Sequence, residues 1–284
     1  MENTTNKPVR IVTVSTSDIP EDLAKAYNIK IIPEYVRFGE SLYRDRVEMG
    51  VDAFLQEIQH NPNFPKTTPP TPSDYQAVFT RILDEGYDVL YIGLSGKISS
   101  GLKLAQIART NLSEERIGLL DSASLSMGLG LIVLELAKRA RQGDTLSELT
   151  EKGEALKKGH HGLFMVANLD FLKRGGRLSG TQAFVGGLLQ VKPLLQVVGG
   201  EISVKEKIRG QRERAMHHMT DLLLEGRQEN SLWAVVHIGC SEDAESISKW
   251  VNEAIGEMPI QAPCGVVVGT HCGPGGLGIF RLDL

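Results

Sequence analysis

Val89-Leu90-Tyr91-Ile92-Gly93-Leu94-Ser95-Gly96-Lys97-Ile98-Ser99-Ser100-Gly101 is the stretch whose reading decides the fold. The apolar run over residues 89–93 reads as a buried strand, and residues 95–100 form a hydroxyl-rich turn. A helix follows over residues 101–109. The same unit recurs on both sides. Upstream, residues 10–14 read as a first strand, Ser15-Thr16-Ser17 as its turn, and a helix starts near Pro20. Downstream come a strand at 117–120 and a helix at 127–142, while a helix at 74–85 precedes the deciding strand. Strands and helices alternating at this length imply a parallel sheet with helices on both faces.

Two stretches interrupt the alternation. Residues 29–38 are extended, with Pro33 marking an edge or a break. A helix at 51–60 leads into residues 61–73, whose prolines and threonines exclude a helix interior. Beyond a helix at 146–158 the texture changes. A strand at 161–166 and a glycine-rich segment at 175–187 precede Gly199-Gly200, which sits between two apolar runs as a two-residue hairpin signal. The expectation is an α/β chain of two domains. The first, residues 1–158, is an N-terminal parallel α/β/α sheet domain; the second, 159–284, is a C-terminal α+β domain with a mixed or antiparallel sheet.

Near the end, Val266-Val267-Val268-Gly269-Thr270-His271 reads as a further buried strand that stops at a histidine, with a glycine-rich turn after it. Gly273-x-Gly275-x-x-Gly278 matches the dinucleotide fingerprint in spacing alone. That fingerprint needs a helix behind the glycines and an acidic residue about twenty positions on, and only residues 279–284 follow here. A phosphate loop fails as well, because the glycine required five residues before Gly96 is Tyr91. Gly93-Leu94-Ser95-Gly96-Lys97 lacks the last glycine of a nucleophile elbow.

Composition narrows the classes. The chain has 284 residues, 41% hydrophobic and 23% charged, as in soluble globular proteins, and its net charge of −4 gives no general attraction to nucleic acid. Residues 1–6 carry no apolar run and no stretch approaches 18 apolar residues, so neither a secretion signal nor a membrane span is expected. Cys240, Cys264 and Cys272 are odd in number and form no CxxC, which fits a reducing, cytoplasmic setting. His160-His161 and His217-His218 have no metal-ligand spacing, and Trp233 and Trp250 are expected in the core.

Three hydroxyl clusters lie at or beside strand ends: Ser15-Thr16-Ser17, residues 66–72, and residues 95–101. In open parallel sheets, ligands sit outside the carboxyl ends of the strands, and hydroxyls with free helix-start amides make an anion site. The competing reading of Ser99 or Ser100 is a plain helix cap. Residues 170–179, together with Lys205, Lys207, Arg209, Arg212 and Arg214, form basic patches on an otherwise acidic chain.

At these positions the sequence resembles the DegV family of bacterial fatty-acid-binding proteins, over nearly the whole chain. The resemblance rests on Ser15-Thr16, Lys66-Thr67-Thr68-Pro69-Pro70-Thr71-Pro72, Ile98-Ser99-Ser100-Gly101, Asp121-Ser122, Leu172-Lys173-Arg174-Gly175-Gly176-Arg177-Leu178, Lys192-Pro193, Arg209-Gly210 and Gly269-Thr270-His271-Cys272-Gly273-Pro274-Gly275. It implies a long-chain fatty acid such as palmitate, stearate or oleate in a tunnel between the domains, with no other cofactor. The carboxylate would be held by Thr67, Thr68, Ser99, Ser100 and His271, with Ser15, Thr16 and Gly273 in support. The family's members act as non-catalytic carriers, presenting the carboxylate to a separate fatty acid kinase that Arg177 and Arg209 would dock. Departures from the family pattern fall at Val14, Pro69, Ser100 and Gly101. The alternative from a different class is a serine hydrolase with Ser99 as nucleophile and His271 as base, but no motif places an acid to orient that histidine.

Overall fold

The alternation over the first half of the chain folds into one parallel sheet. In the computed structural model, which describes residues 7–178 and 191–284, the elements run β1 (Val9–Val14), a 3-10 turn at Ser15–Ser17, α1 (Glu21–Ala26), β2 (Lys30–Ile32), β3 (Tyr35–Phe38) and β4 (Ser41–Arg44). They continue with α2 (Val51–His60), β5 (Lys66–Thr68), α3 (Pro72–Asp84), β6 (Asp88–Gly93), α4 (Gly101–Arg109), β7 (Ile117–Asp121), α5 (Ser126–Gln142) and α6 (Leu146–Leu156). The four parallel strands stand in the order β2-β1-β6-β7. Pro33 breaks the extended run of residues 29–38. Its first part stays in the parallel sheet, and β3 leaves to form a small antiparallel sheet, β4-β3-β5.

Local chemistry sets the helix starts. Thr71 caps α3 through a capping box with Asp74, with Pro72 at the first helical position, and Thr145 and Glu148 do the same for α6.

The second half comprises β8 (His160–Met165), α7 (Asp170–Gly175), β9 (Val191–Val198), β10 (Glu201–Arg209), α8 (Arg212–Leu224), β11 (Leu232–His237), α9 (Ser241–Ile255), β12 (Ile260–Pro263), α10 (Val266–Cys272) and β13 (Leu277–Leu282). Six strands form one mixed sheet in the order β10-β9-β8-β13-β11-β12, antiparallel throughout except for β11 beside β12. Gly199 and Gly200 turn the β9–β10 hairpin with φ of 56° and 82°, the left-handed values that a two-residue turn needs. Of the glycine-rich segment 175–187, residues 179–187 lie outside the described residues, as do residues 1–6.

The α5 helix holds the two sheets together. Residues 126–137 are buried on every face, because α5 packs against β1 on one side and β11 and β13 on the other. A helix apolar all round belongs between layers. Gly130 permits the close approach: a Cβ there would lie 2.6 Å from the Ser17 carbonyl oxygen. One continuous apolar core runs through the layers, from Val12, Leu90 and Ile92 through Leu131 to Phe164, Val236 and Phe280.

The stretch 266–271 corrects the sequence reading: Val266–Cys272 is a helix, and the last strand is β13, further on. Three successive valines favour extended backbone, but by only a few tenths of a kcal/mol each. Tertiary contacts outweigh that. The Gly265 N–H donates to Asp18 Oδ1 at 2.7 Å and the Val266 N–H to Asp45 Oδ1 at 2.9 Å, so two buried carboxylates satisfy the helix start. Val266 to Thr270 are all buried, so α10 has no polar face to announce its period.

Candidate functional site

Strand ends and one short helix converge on a single pocket between the two sheets. Its described lining includes Thr16 from the turn after β1, Thr67 and Thr68 from β5, Ser99 from the turn after β6, and His271 from α10. The remaining wall is mostly apolar: Leu94, Ile98, Leu125, Phe164, Leu172, Ile202, Val267 and Val268. Its atom-free space, counting the open mouth, is about 610 Å³. A few hydroxyls and an imidazole on an otherwise mostly apolar wall suit an amphipathic ligand.

His271 is positioned from two sides. Its Nε2 lies 2.9 Å from Thr67 Oγ1, a bond that links α10 to β5. Its Nδ1 is buried with no hydrogen-bond partner among the described residues and faces Gly175, where any side chain would collide with the ring. Burial, with a lesser push from the Arg177 guanidinium, lowers its pKa to about 4. The imidazole is therefore neutral at pH 7 and can donate through one nitrogen without adding charge. Ser99 Oγ accepts the Gly101 N–H at 3.2 Å, which leaves its own proton free to donate.

These contacts bear on the hydrolase alternative. The His271 ring meets Thr67, not Ser99, and among the described residues no carboxylate orients its Nδ1. Nor is Cys272 a thiolate, since burial pushes its thiol up to about 12.

Other expected site residues fall elsewhere. Ser15 is buried and its Oγ accepts the Glu34 N–H at 3.1 Å, so it shapes the wall from behind. Ser100 is exposed at the start of α4 and makes no side-chain cap. Gly273, with φ of 72°, lies against the Phe171 ring, which leaves no room for a side chain. Ser95, from the same cluster as Ser99, donates to the Gly200 carbonyl at 2.7 Å and ties the β9–β10 hairpin to the first sheet. The two arginines separate: Arg209 is exposed at the end of β10, whereas half-buried Arg177 lines the pocket. Its guanidinium bonds back to the Gly175 carbonyl, which folds the side chain inward.

The adjacent histidine pairs serve structure. His160 Nε2 lies 2.9 Å from Ser124 Oγ, His161 pairs with Asp283, His218 with Glu206, and His217 stacks on Trp250. Trp233 is buried in the core as expected, and Trp250 is half-buried at the edge of a cluster between α8 and α9. No cluster of metal-binding side chains occurs among the described residues.

Sequence reasoning missed Glu34. It stands on the pocket wall, 3% exposed, at the point where Pro33 breaks the chain between β2 and β3. A lone acid inside the otherwise apolar run Ile29-Lys30-Ile31-Ile32-Pro33-Glu34-Tyr35-Val36 was the available signal.

Comparison with known proteins agrees with this architecture. Residues 8–283 match the family model described as "Uncharacterised protein, DegV family". A DegV domain-containing protein of Caldanaerobacter subterraneus subsp. tengcongensis is 33% identical, with 96% of this chain and 98% of that one covered. Among solved structures, a DegV family protein from Thermus thermophilus, described for its fatty acid binding, superposes with a TM-score of 0.89 at 30% identity, covering 98% of this chain and all of that one. DegV of Bacillus subtilis, described as a fatty acid binding protein, gives 0.88 at 31% identity with the same coverage.

Proposed function

The chain belongs to the DegV family, and from that premise we propose that it is a non-catalytic carrier that binds a long-chain fatty acid in the pocket between its two sheets. The observation that carries the reading is that Thr67, Thr68, Ser99 and His271, with Thr67 bonded to His271 at 2.9 Å, all line one largely apolar pocket. A carboxylate taken out of water needs several donors. Two threonine hydroxyls, the free Ser99 proton and the neutral imidazole supply them. Buried methylenes of the tail contribute about 0.8 kcal/mol each, so the tail dominates affinity and the head fixes orientation. The two structural relatives at 30% and 31% identity are themselves described as fatty-acid-binding, which supports the same ligand class here.

The finer reading concerns what happens to the bound acid. The carboxylate is presented to a separate kinase for conversion to an acyl phosphate. Exposed basic residues of β10, Lys205 and Arg209, suit the docking of an acidic partner.

Extraction of the purified, denatured protein followed by mass spectrometry tests the ligand. The expected result is one C16–C18 fatty acid per chain, and saturating ligand at about 100 times its Kd should add about 2.7 kcal/mol of stability. Absence of any fatty acid, together with no thermal shift on adding palmitate or oleate, would refute the carrier reading.

A further inference from the structure

Glu34 shares the pocket with the proposed head-group ligands yet takes no part in the reading above. Its position is fixed on both sides: its amide donates to Ser15 Oγ at 3.1 Å, and its carbonyl accepts the Asp45 N–H at 2.9 Å. The side chain lines the same wall as Thr16, Thr67, Ser99, Arg177 and His271. Thr16 Oγ1 is buried beside it and acts on the Glu34 carboxyl.

The charged and titratable groups around Glu34 come from every neighbouring element. Asp18 and Asp45 act on it from the turn after β1 and the end of β4. Tyr75 and Tyr91 lie near it from α3 and β6, Arg177 stands beyond α7, and His271 on α10. Burial first, and then Asp45, push the Glu34 carboxyl up to about 8. Asp18 is matched by Arg46 at 4.0 Å, and His271 is neutral. That leaves Arg177 as the one cation on the described pocket wall. If Glu34 were ionised, an entering carboxylate would be a second anion on the same wall, and both would compete for the field of the one cation there. If Glu34 is neutral, Arg177 remains for the ligand, and the acid gains a donor.

We propose that Glu34 binds the ligand as a neutral carboxylic acid that donates its O–H to the acyl carboxylate, so that this pocket takes up a fatty acid anion and retains one proton with it. The inference rests on the fatty-acid reading above. Two carboxyl groups that share one proton are the stable arrangement in a site of low dielectric, and an O–H···O⁻ bond is among the short, strong ones. Glu34 thereby selects an ionised carboxylate over a neutral head group such as a methyl ester, and it makes affinity depend on pH. In the free protein Glu34 holds its proton below about pH 8 and loses it above, while the bound ligand keeps the proton in place. Affinity should therefore be flat from about pH 6, where the free ligand is ionised, to about pH 8, and fall about tenfold per pH unit above 8.

The test is the Kd for oleate and for methyl oleate between pH 6.5 and 9.5, measured on wild type, Glu34→Gln and Glu34→Leu, with circular dichroism at each pH. Wild type should lose oleate affinity above pH 8 at that slope and show proton uptake in buffers of differing ionisation enthalpy. Both variants should give flat profiles, and the wild-type preference for oleate over its ester should shrink in Glu34→Leu. A wild-type profile flat to pH 9.5, or the same fall in both variants, overturns the inference while leaving the carrier reading intact. Failure of wild type to bind oleate at any pH overturns the carrier reading itself.

Discussion

His271 shows how far a residue's chemistry depends on what surrounds it. Its sequence neighbours announce a site, but burial makes it a neutral donor and acceptor instead of a cation or a base. That state has a cost at low pH. Because the native pKa of about 4 lies below the ordinary 6.5, the unfolded chain binds the proton more readily, and the native state loses stability as pH falls from 6.5 toward 4. Urea unfolding at pH 7 and 4.5 should show wild type losing about 2–3 kcal/mol more than His271→Gln. The difference isolates this histidine from Glu34, whose raised pKa acts with the opposite sign, and from His160, which is also near 4. Equal losses in the two proteins would mean that His271 is not held neutral. Ser99 separates binding from folding. Ser99→Ala should weaken fatty acid binding by about 1–3 kcal/mol, the range for leaving a charged group one hydrogen bond short. Its melting temperature should barely move, since among the described residues the hydroxyl holds only the Gly101 amide. Normal binding with an early melt would reduce Ser99 to a turn residue.

Among the elements, α10 is the one on which the site depends most. It carries His271, closes the pocket with Val267 and Val268, and starts on carboxylates from distant loops. Gly269 sits in its middle, where Ala would ordinarily stabilise a helix by about 1 kcal/mol. Here an added Cβ would run into Ile238 and approach Phe54 to 3.1 Å, both fully buried. Overpacking of about 1–3 kcal/mol exceeds the propensity gain, so Gly269→Ala should lower stability on balance. Chemical denaturation reads the sign directly, and a stabilised variant would show that α10 can shift away from β11. The N-terminal elements were legible for the opposite reason. The spans of α2 and α4 fall where their spacing indicates, while α3 begins two residues before the expected 74 because Thr71 and Asp74 close a capping box around Pro72. Pro33 marked the break between β2 and β3 correctly because proline acts on its own backbone.

At the scale of the whole molecule, the two arginines divide the proposed roles. Arg177 lies on the pocket wall and Arg209 is exposed at the far end of the β9–β10 hairpin. Arg177→Glu should therefore lower fatty acid occupancy, because it removes a cation and adds a second acid beside Glu34. Arg209→Glu should leave occupancy near normal and act only on turnover with a reconstituted kinase. That turnover should also fall with rising salt, since exposed charges are screened beyond about 8–10 Å. Extraction of lipid from both variants distinguishes the sites. Normal occupancy in Arg177→Glu would place that arginine outside the ligand's reach, and lipid loss in Arg209→Glu would undo the division.

The sequence alone determined the features set within a few residues of themselves. These are the strand–turn–helix alternation, the β9–β10 hairpin at Gly199-Gly200, the hydroxyl turns, and the motifs that point to the family. Apolar period, glycine and proline act locally, and so they can be read locally. The tertiary structure decided what depended on distant partners. Val266–Cys272 became a helix because Asp18 and Asp45, 247 and 221 residues before the amides they accept, satisfied its first turn. Ser95 was diverted from the pocket by a carbonyl 105 residues away. Glu34 and Arg177 joined one pocket wall only when the two sheets closed around α5, since no local pattern records which long-range burial a charged side chain will meet.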